Sequence, residues 1–470
     1  MEIYLTSPPL QLLAVILILF STILSYFRPR FIVLLIPIVL PLYLVKIYFR
    51  PQAIFNFQSY FSPEFSQTPV IRPDLGSHNL IFPTNLLEIL LIFFLLLNIP
   101  LIIRGFKLVY QKYPGKYFLI SLFTLIMAVI TSTIYAINLR VALGAAKSWF
   151  FLPILLFFAL LPLLKDREFR QKLLYSFVIS GAVIIFMNVL YFFENTFTYD
   201  GRLSGIFLSP NHLAMALIPG ILASIMLIKE QGLFSSESFK LLPNVHYKYH
   251  LSLAGLLLLE LYFLYKTYSY GAWLALVAAF LLIAVGVKNL ANKWPYYLIA
   301  LAYLVFAGVS QLGNPKLQHL VNGDYYSSLH SRLMIWDSAL LISRDHWLAG
   351  IGADNFQQAY LDYQKRFTEP YLEWSAPQPH NVFLAFQTQL GTLGLLAFIS
   401  LLILTFKSSY GVKKDPLTLW ALAYLAYFVF HGLVDTPYMK NDLAILFWLA
   451  LAACWTGKST RITDYASPSK

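Results

Sequence analysis

Apolar residues in this chain come in long runs, and most of the stretches between them are short, polar and rich in lysine or arginine. A helix needs roughly 20 apolar residues to cross a bilayer. Runs of that kind fall near 10–27, 31–49, 85–103, 117–137, 148–164, 173–193, 205–228, 249–267, 271–287, 294–311, 382–406, 416–430 and 440–457. The pattern predicts an all-α, polytopic membrane protein of about 12–13 transmembrane helices. One polar stretch of about seventy residues, 312–381, breaks the rhythm and predicts a large, partly helical extracytoplasmic loop. Short turns are enough to join spans, and ordering a long loop has an entropic cost, so the chemistry is expected there. The expected organisation is a transmembrane bundle over 1–311, the loop over 312–381, C-terminal transmembrane helices over 382–457 and a cytoplasmic tail over 458–470.

Composition sharpens this picture. Of 470 residues, 59% are hydrophobic and 12% are charged, about half the charged fraction of a soluble domain. The net charge of +12 is spread in small clusters between apolar runs, which follows the positive-inside rule and excludes nucleic acid as the partner. Arg28 and Arg30, Arg104 to Lys116, Lys165 to Lys172, Lys288 and Lys293, Lys407 to Lys414, and Lys458 with Arg461 occupy alternate loops, which are assigned to the cytoplasm. The N-terminus, the long loop and the turns at 194–202, 268–270 and 431–442 then lie on the outer face of the inner (cytoplasmic) membrane. MEIYLTSPPL lacks the basic n-region of a signal peptide, so the first run is expected to stay as a span. Cys454 is the only cysteine and supports neither an intramolecular disulfide nor a cysteine metal site. A P-loop and a Rossmann glycine pattern are both lacking, which argues against nucleotide-driven chemistry.

Four polar groups fall on the predicted outer face. In the loop, Arg332, His346, Asp354 and His380 crowd together. Ser331 can cap a helix that begins with Arg332, and Arg332 and Trp336, four apart, share its face. An arginine fork suits a phosphate or pyrophosphate, and it equally suits snorkelling to lipid headgroups. His380, followed by Asn381 at the mouth of the eleventh run, can act as a general base or can simply cap the helix start. Arg202, Asn211 and His212 gather at the seventh run, where Asn211 can bind substrate or hydrogen-bond a neighbouring helix. His431 and Asp435 are four apart in the last outer turn and read more simply as a polar turn before Pro437. No ligand set with metal spacing is present, so no metal and no cofactor is expected.

At these residues the chain resembles the O-antigen ligase and polymerase family of bacterial polysaccharide assembly. The segments that carry the resemblance are GRLSGIFLSPNHLA, TYSYGAWLA, SRLMIWDSAL, DHWLAGIGADNF, PHNVFLAFQTQLGTLGLLAF and HGLVDTPYMKNDLAILFWLAL, in that order over roughly residues 200 to 455. The resemblance implies transfer of a glycan from a polyprenyl-diphosphate carrier to an acceptor hydroxyl, without nucleotide sugar or metal. It implies His380 as the essential histidine and Arg332 as the loop arginine. Tyr270 departs from the pattern, because the family commonly has arginine between Ser269 and Gly271; Arg202 is then expected to share the diphosphate site with Tyr270. Trp347 stands where the family often has proline.

Elementary chemistry fits this reading. Arg332, with Arg202, can stabilise the leaving diphosphate, and His380 can take the acceptor proton as it attacks and inverts the anomeric centre. Trp336, Trp347, Tyr371 and Trp374 offer aromatic faces to sugar rings or to the membrane interface. The expected partners are a lipid-linked oligosaccharide donor, a glycan or lipid acceptor, and membrane lipids. Ligase activity is favoured over polymerase activity. A transporter or flippase is the rival from another class; it would show ionisable residues at the bilayer midplane and a repeat of spans, whereas here Glu260 is the one clear midspan carboxylate.

Overall fold

The computed structural model describes residues 3–5, 8–47, 84–198, 200–230, 244–285, 294–322, 327–366, 375–409 and 415–456. Every one of the thirteen apolar runs contains a helix. Among the described residues five helices are long and apolar enough to cross a membrane, or six if Leu86–Leu97 and Ile99–Gln111 count as one broken span. The tail over 458–470, with Tyr371 and Trp374, lies outside the described residues.

The chain divides into two compact units, Met1–Pro100 and Leu101–Lys470. In the first, α1 (Pro8–Phe27) packs on α3 (Leu86–Leu97), and α2 covers Pro29–Val39. The second apolar run does not finish as a span. Pro37 and Pro41 remove amide donors, and the helix passes through a 3-10 turn, Leu40–Leu44, into a strand, Val45–Ile47. That strand pairs in parallel with Ile3–Leu5 and antiparallel with Thr84–Asn85, so this small sheet is the exception to an otherwise helical fold. The third run breaks at Asn98, two residues before Pro100, and resumes as α4 (Ile99–Gln111).

The second unit holds α5 (Gly115–Ile134), α6 (Leu139–Ala145) continuing through a π turn into α7 (Leu152–Leu163), α8 (Arg167–Phe193), α9 (Pro210–Glu230), α10 (Asn244–Lys266), α11 (Tyr270–Val285) and α12 (Trp294–Ser310). The long loop contributes α13 (Pro315–Val321), α14 (Ser328–Asp345) and α15 (Phe356–Gln364). The last helices are α16 (Val382–Ser409), α17 (Pro416–His431) and α18 (Asn441–Thr456). The main pairings are α5 with α16, α11 with α17, α8 with α9 and α7 with α18. Trp420 and Trp448 are fully buried, and Trp420 stacks on Phe177 at 4.2 Å.

The loop is built into this bundle. Ile335, Ala339 and Ile342 of α14 recur at helical spacing and bury against Phe356, Tyr360 and Tyr363 of α15. Leu333 and Leu340 of the same helix are exposed. The helix begins at Ser328 rather than Arg332; its cap is Ser327, whose hydroxyl accepts from the His330 amide, and Ser331 lies inside the first turn. The segment DHWLAGIGADNF then fills a break in α16. Gly391 has φ +71 and ψ −177, which interrupts the helix. The carbonyls of Thr388 and Gln389 are met by the amides of Ile351 (2.9 Å) and Gly352 (3.1 Å), and the Thr392 amide donates to Trp347 O at 2.8 Å. Gly350 and Gly352 also have positive φ, so this backbone exchange needs three glycines.

Candidate functional site

The site forms around the turn between α17 and α18, where backbone carbonyls become docking points. The amide of Val382 donates to Gly432 O at 2.7 Å, tying the start of α16 to that turn. Asn381 Nδ2 donates to Leu433 O at 3.0 Å, while its Oδ1 accepts from the amides of Phe383 and Leu384. The Asn381 side chain is therefore committed to capping α16 and holding the residue before it. That residue, His380, sits at φ +49, a conformation rare for non-glycine residues and one often found at functional positions.

Asp435 is the hub. Its Oδ1 lies 3.3 Å from His380 Nδ1, and its Oδ2 accepts from Asn211 Nδ2 at 2.7 Å. Asn211 Oδ1 in turn accepts from Arg202 Nη2 at 2.6 Å. A continuous path thus runs from Arg202 through Asn211 and Asp435 to His380. The Asp435 side chain is 6% exposed and that of His380 is 28% exposed. Burial pushes the Asp435 carboxyl up, but the hydrogen bond from His380 and the charges of His380, His431 and Arg332 outweigh it, so the group lies well below the usual carboxylate range. In the neutral tautomer that an ionised Asp435 favours, the His380 proton sits on Nδ1 and the lone pair on Nε2. His380 Nε2 has no hydrogen-bond partner among the described residues.

Arg332 reaches the same turn from the loop. Its Nε donates to Val434 O at 2.9 Å and its Nη1 to Ser328 O at 3.1 Å. Arg202 is fixed by Thr267 O at 2.7 Å and lies 3.7 Å from Asp200. Burial and the charge of Arg332 oppose the Arg202 guanidinium, while Asp200 and Asp435 favour it; an arginine remains charged under these conditions. Tyr270 is half-buried and donates its hydroxyl to Gln311 Oε1 at 3.1 Å. It enters this neighbourhood because Gly271 allows close packing: a Cβ there would lie 2.6 Å from Val434 Cγ2. Trp336 is half-buried on the Arg332 face of α14, and its Nε1 is buried without a hydrogen-bond partner among the described residues.

His346 and Asp354 separate from this group. His346 is an exposed cap at the end of α14, and Asp354 is exposed with its amide on Gln389 Oε1 at 2.7 Å. Trp347 is 59% exposed. In the turn before α18, Asp435 meets His380 rather than His431, four positions before it. His431 is buried against Tyr427 Oη at 2.8 Å, and the partner of Asp435 comes from 55 positions away. A second buried group, Lys440–His212–Asp442, backs the site: Lys440 Nζ lies 3.1 Å from His212 Nδ1, and His212 Nε2 lies 2.8 Å from Asp442 Oδ2. Among the described residues no three His, Cys, Asp or Glu side chains gather in a form suited to a metal ion.

A helical membrane protein with a polar site at one end of its bundle, formed by a loop and four helix termini, is the class this architecture defines. Residues 254–399, less than a third of the chain, match the family model described as O-Antigen ligase. That match supports, in broad terms, a function of the O-antigen ligase or polymerase type. No curated protein matches the chain.

Proposed function

We propose that the protein is a membrane glycosyltransferase that moves a glycan from a polyprenyl-diphosphate carrier to an acceptor hydroxyl. The observation that carries this reading is His380, held through Nδ1 by buried Asp435 while its Nε2 has no hydrogen-bond partner among the described residues. In the proposed reaction His380 Nε2 takes the acceptor proton, the acceptor oxygen bonds to the anomeric carbon, and the carbon–oxygen bond to the diphosphate breaks with inversion. Arg332 and Arg202 balance the charge that develops on the leaving diphosphate. Asn211 and Asn381 act through other groups: Asn211 joins Arg202 to Asp435, and Asn381 positions His380. Trp336 offers an aromatic face to the glycan.

The chemistry is placed on the outer face of the inner membrane, where the basic loops leave the site. Transfer of a finished glycan to a lipid acceptor, ligase activity, is favoured over chain polymerisation. The reaction is proposed to run without a metal, since two arginines supply the positive charge a metal would bring. The test is transfer by the purified protein from a polyprenyl-diphosphate-linked glycan to defined acceptors, with and without EDTA. Product in EDTA is the expected result. Loss of product restored by one divalent cation removes the metal-free mechanism, and transport of the donor without transfer removes the enzyme reading.

A further inference from the structure

We propose that Lys316, on the first turn of the long loop, is a third cationic contact to the carrier diphosphate, set beside Arg202 on one turn of backbone. The assignment rests on the carrier-diphosphate reading above and adds a residue to it. Arg202 and Lys316 hold adjacent carbonyls: Arg202 Nε donates to Thr267 O at 2.7 Å and Lys316 Nζ to Tyr268 O at 2.8 Å. The Lys316 ammonium also lies over the ring of Tyr270, 4.9 Å from its centroid. A short chain of bonds delivers it there. The Lys316 amide donates to Asn314 Oδ1, Asn314 Nδ2 donates to Gln311 Oε1, and the same oxygen accepts from the Tyr270 hydroxyl. The loop thus places an ammonium group where residue 270 itself has only a neutral phenol.

No carboxylate lies within ion-pair distance of Lys316 among the described residues. The charged and titratable groups facing it are Arg202 and Asp200 from the turn before α9, Tyr268 and Tyr270 from the turn before α11, and Arg332 from α14. Three cations therefore face one region that holds Asp200 and the already engaged Asp435. Such a cluster is relieved by a multivalent anion, and a diphosphate matches three cations better than a single phosphate does. Burial, then the charges of Arg202 and Arg332, draw the Lys316 ammonium down to about 7 against the opposing pull of Asp200. A bound diphosphate reverses that balance. Binding should take up a proton and should weaken as pH rises through about 7, because only the ammonium form meets the anion.

The experiment measures binding of a short-chain prenyl diphospho-sugar to the full chain in lipid nanodiscs between about pH 6 and about pH 9, a window in which this diphosphate diester keeps its charge. The wild-type protein is expected to lose affinity by about tenfold or more across the window, and Lys316→Met to bind about tenfold or more weakly at the acid end, with no pH slope. Lys316→Arg should retain the affinity and lose the slope. In transfer assays KM should follow these changes while kcat holds. A Lys316→Met protein with wild-type affinity and slope overturns the Lys316 assignment alone. So does Lys316→Arg if it is folded and as weak as Lys316→Met, which makes the position a packing site. If Lys316→Met does not fold, the profile of Lys316→Arg decides by itself: a retained slope overturns the assignment. If the wild type binds no probe, or binds it equally well after Arg202→Ala and Arg332→Ala, the carrier reading falls and takes this assignment with it.

Discussion

Two arginine sites lie near opposite ends of α17, whose sixteen residues span about 24 Å. Near its start, Arg170 is buried and saturated. Its guanidinium meets both carboxylate oxygens of Asp415 and the hydroxyls of Thr418 and Thr456, with the carbonyls of Leu164 and Ala453 completing the set. The same Asp415 caps α17. At the far end, Arg202, Arg332 and Lys316 are held mainly by carbonyls, which orient a cation without neutralising it. Saturation makes the first site a clamp between helices. In the proposed reading, compensation by Asp200 and Asp435 alone leaves the second site able to take an anion. Both begin as basic residues in polar stretches, and only their partners separate the two roles.

The comparison is sharpest in His380→Ala. We expect transfer to fall by about 10²- to 10⁴-fold, with the melting temperature close to wild type, measured on the same purified protein. The mirror experiment is Arg170→Ala, which removes a buried guanidinium and strands half-buried Asp415. It should destabilise the fold by about 3 kcal/mol or more while the surviving folded protein keeps its kcat. If Arg170→Ala instead lowers kcat without lowering stability, the division between clamp and site fails.

Asp435→Asn should come next, with a loss of about a hundredfold, since the amide can present its N–H to His380 and stabilise the wrong tautomer. The pH dependence has a definite sign. The folded-state pKa of Asp435 is depressed, so its contribution to stability is present above the unfolded carboxylate value and is lost only as pH falls through the lower folded value. An activity limb near neutrality therefore belongs to another group, and it should persist in Asp435→Asn. A limb that vanishes with the carboxylate would reverse that assignment.

Arg332→Lys is expected to cost about tenfold in kcat/KM. Lysine cannot hold Val434 O and Ser328 O while still presenting a planar fork. Full activity in Arg332→Lys would make this residue a point charge. The smallest effect on chemistry should come from Gly391→Ala, which forces a side chain into φ +71 and against the backbone of Leu348. We expect about 1–3 kcal/mol of lost stability, read by thermal unfolding, and transfer reduced only in proportion to the folded fraction. A selective loss of kcat there would tie the α16 break to the chemistry directly.

The apolar runs made the helical fold legible, because burying twenty-residue apolar helices is a local property of the sequence. Arg332 and His380 were legible as candidates because they interrupt that pattern in the one long loop. Their partners were not. Asp435 reads as part of a polar turn until α16 and α17 meet, and Lys316 reads as an ordinary loop lysine until Asn314 and Gln311 pin it to the turn at Tyr268. His346 and Asp354 share the composition of the site but are exposed and make no hydrogen bond to His380, Asp435 or Arg332 among the described residues. Local pattern thus determined which segments are helical and which residues can carry charge. Tertiary structure alone decided which charges are neutralised and which remain available, because that depends on carboxylates and carbonyls brought together from far along the chain, 245 positions for Arg170 and Asp415 and 283 for Arg170 and Ala453 O.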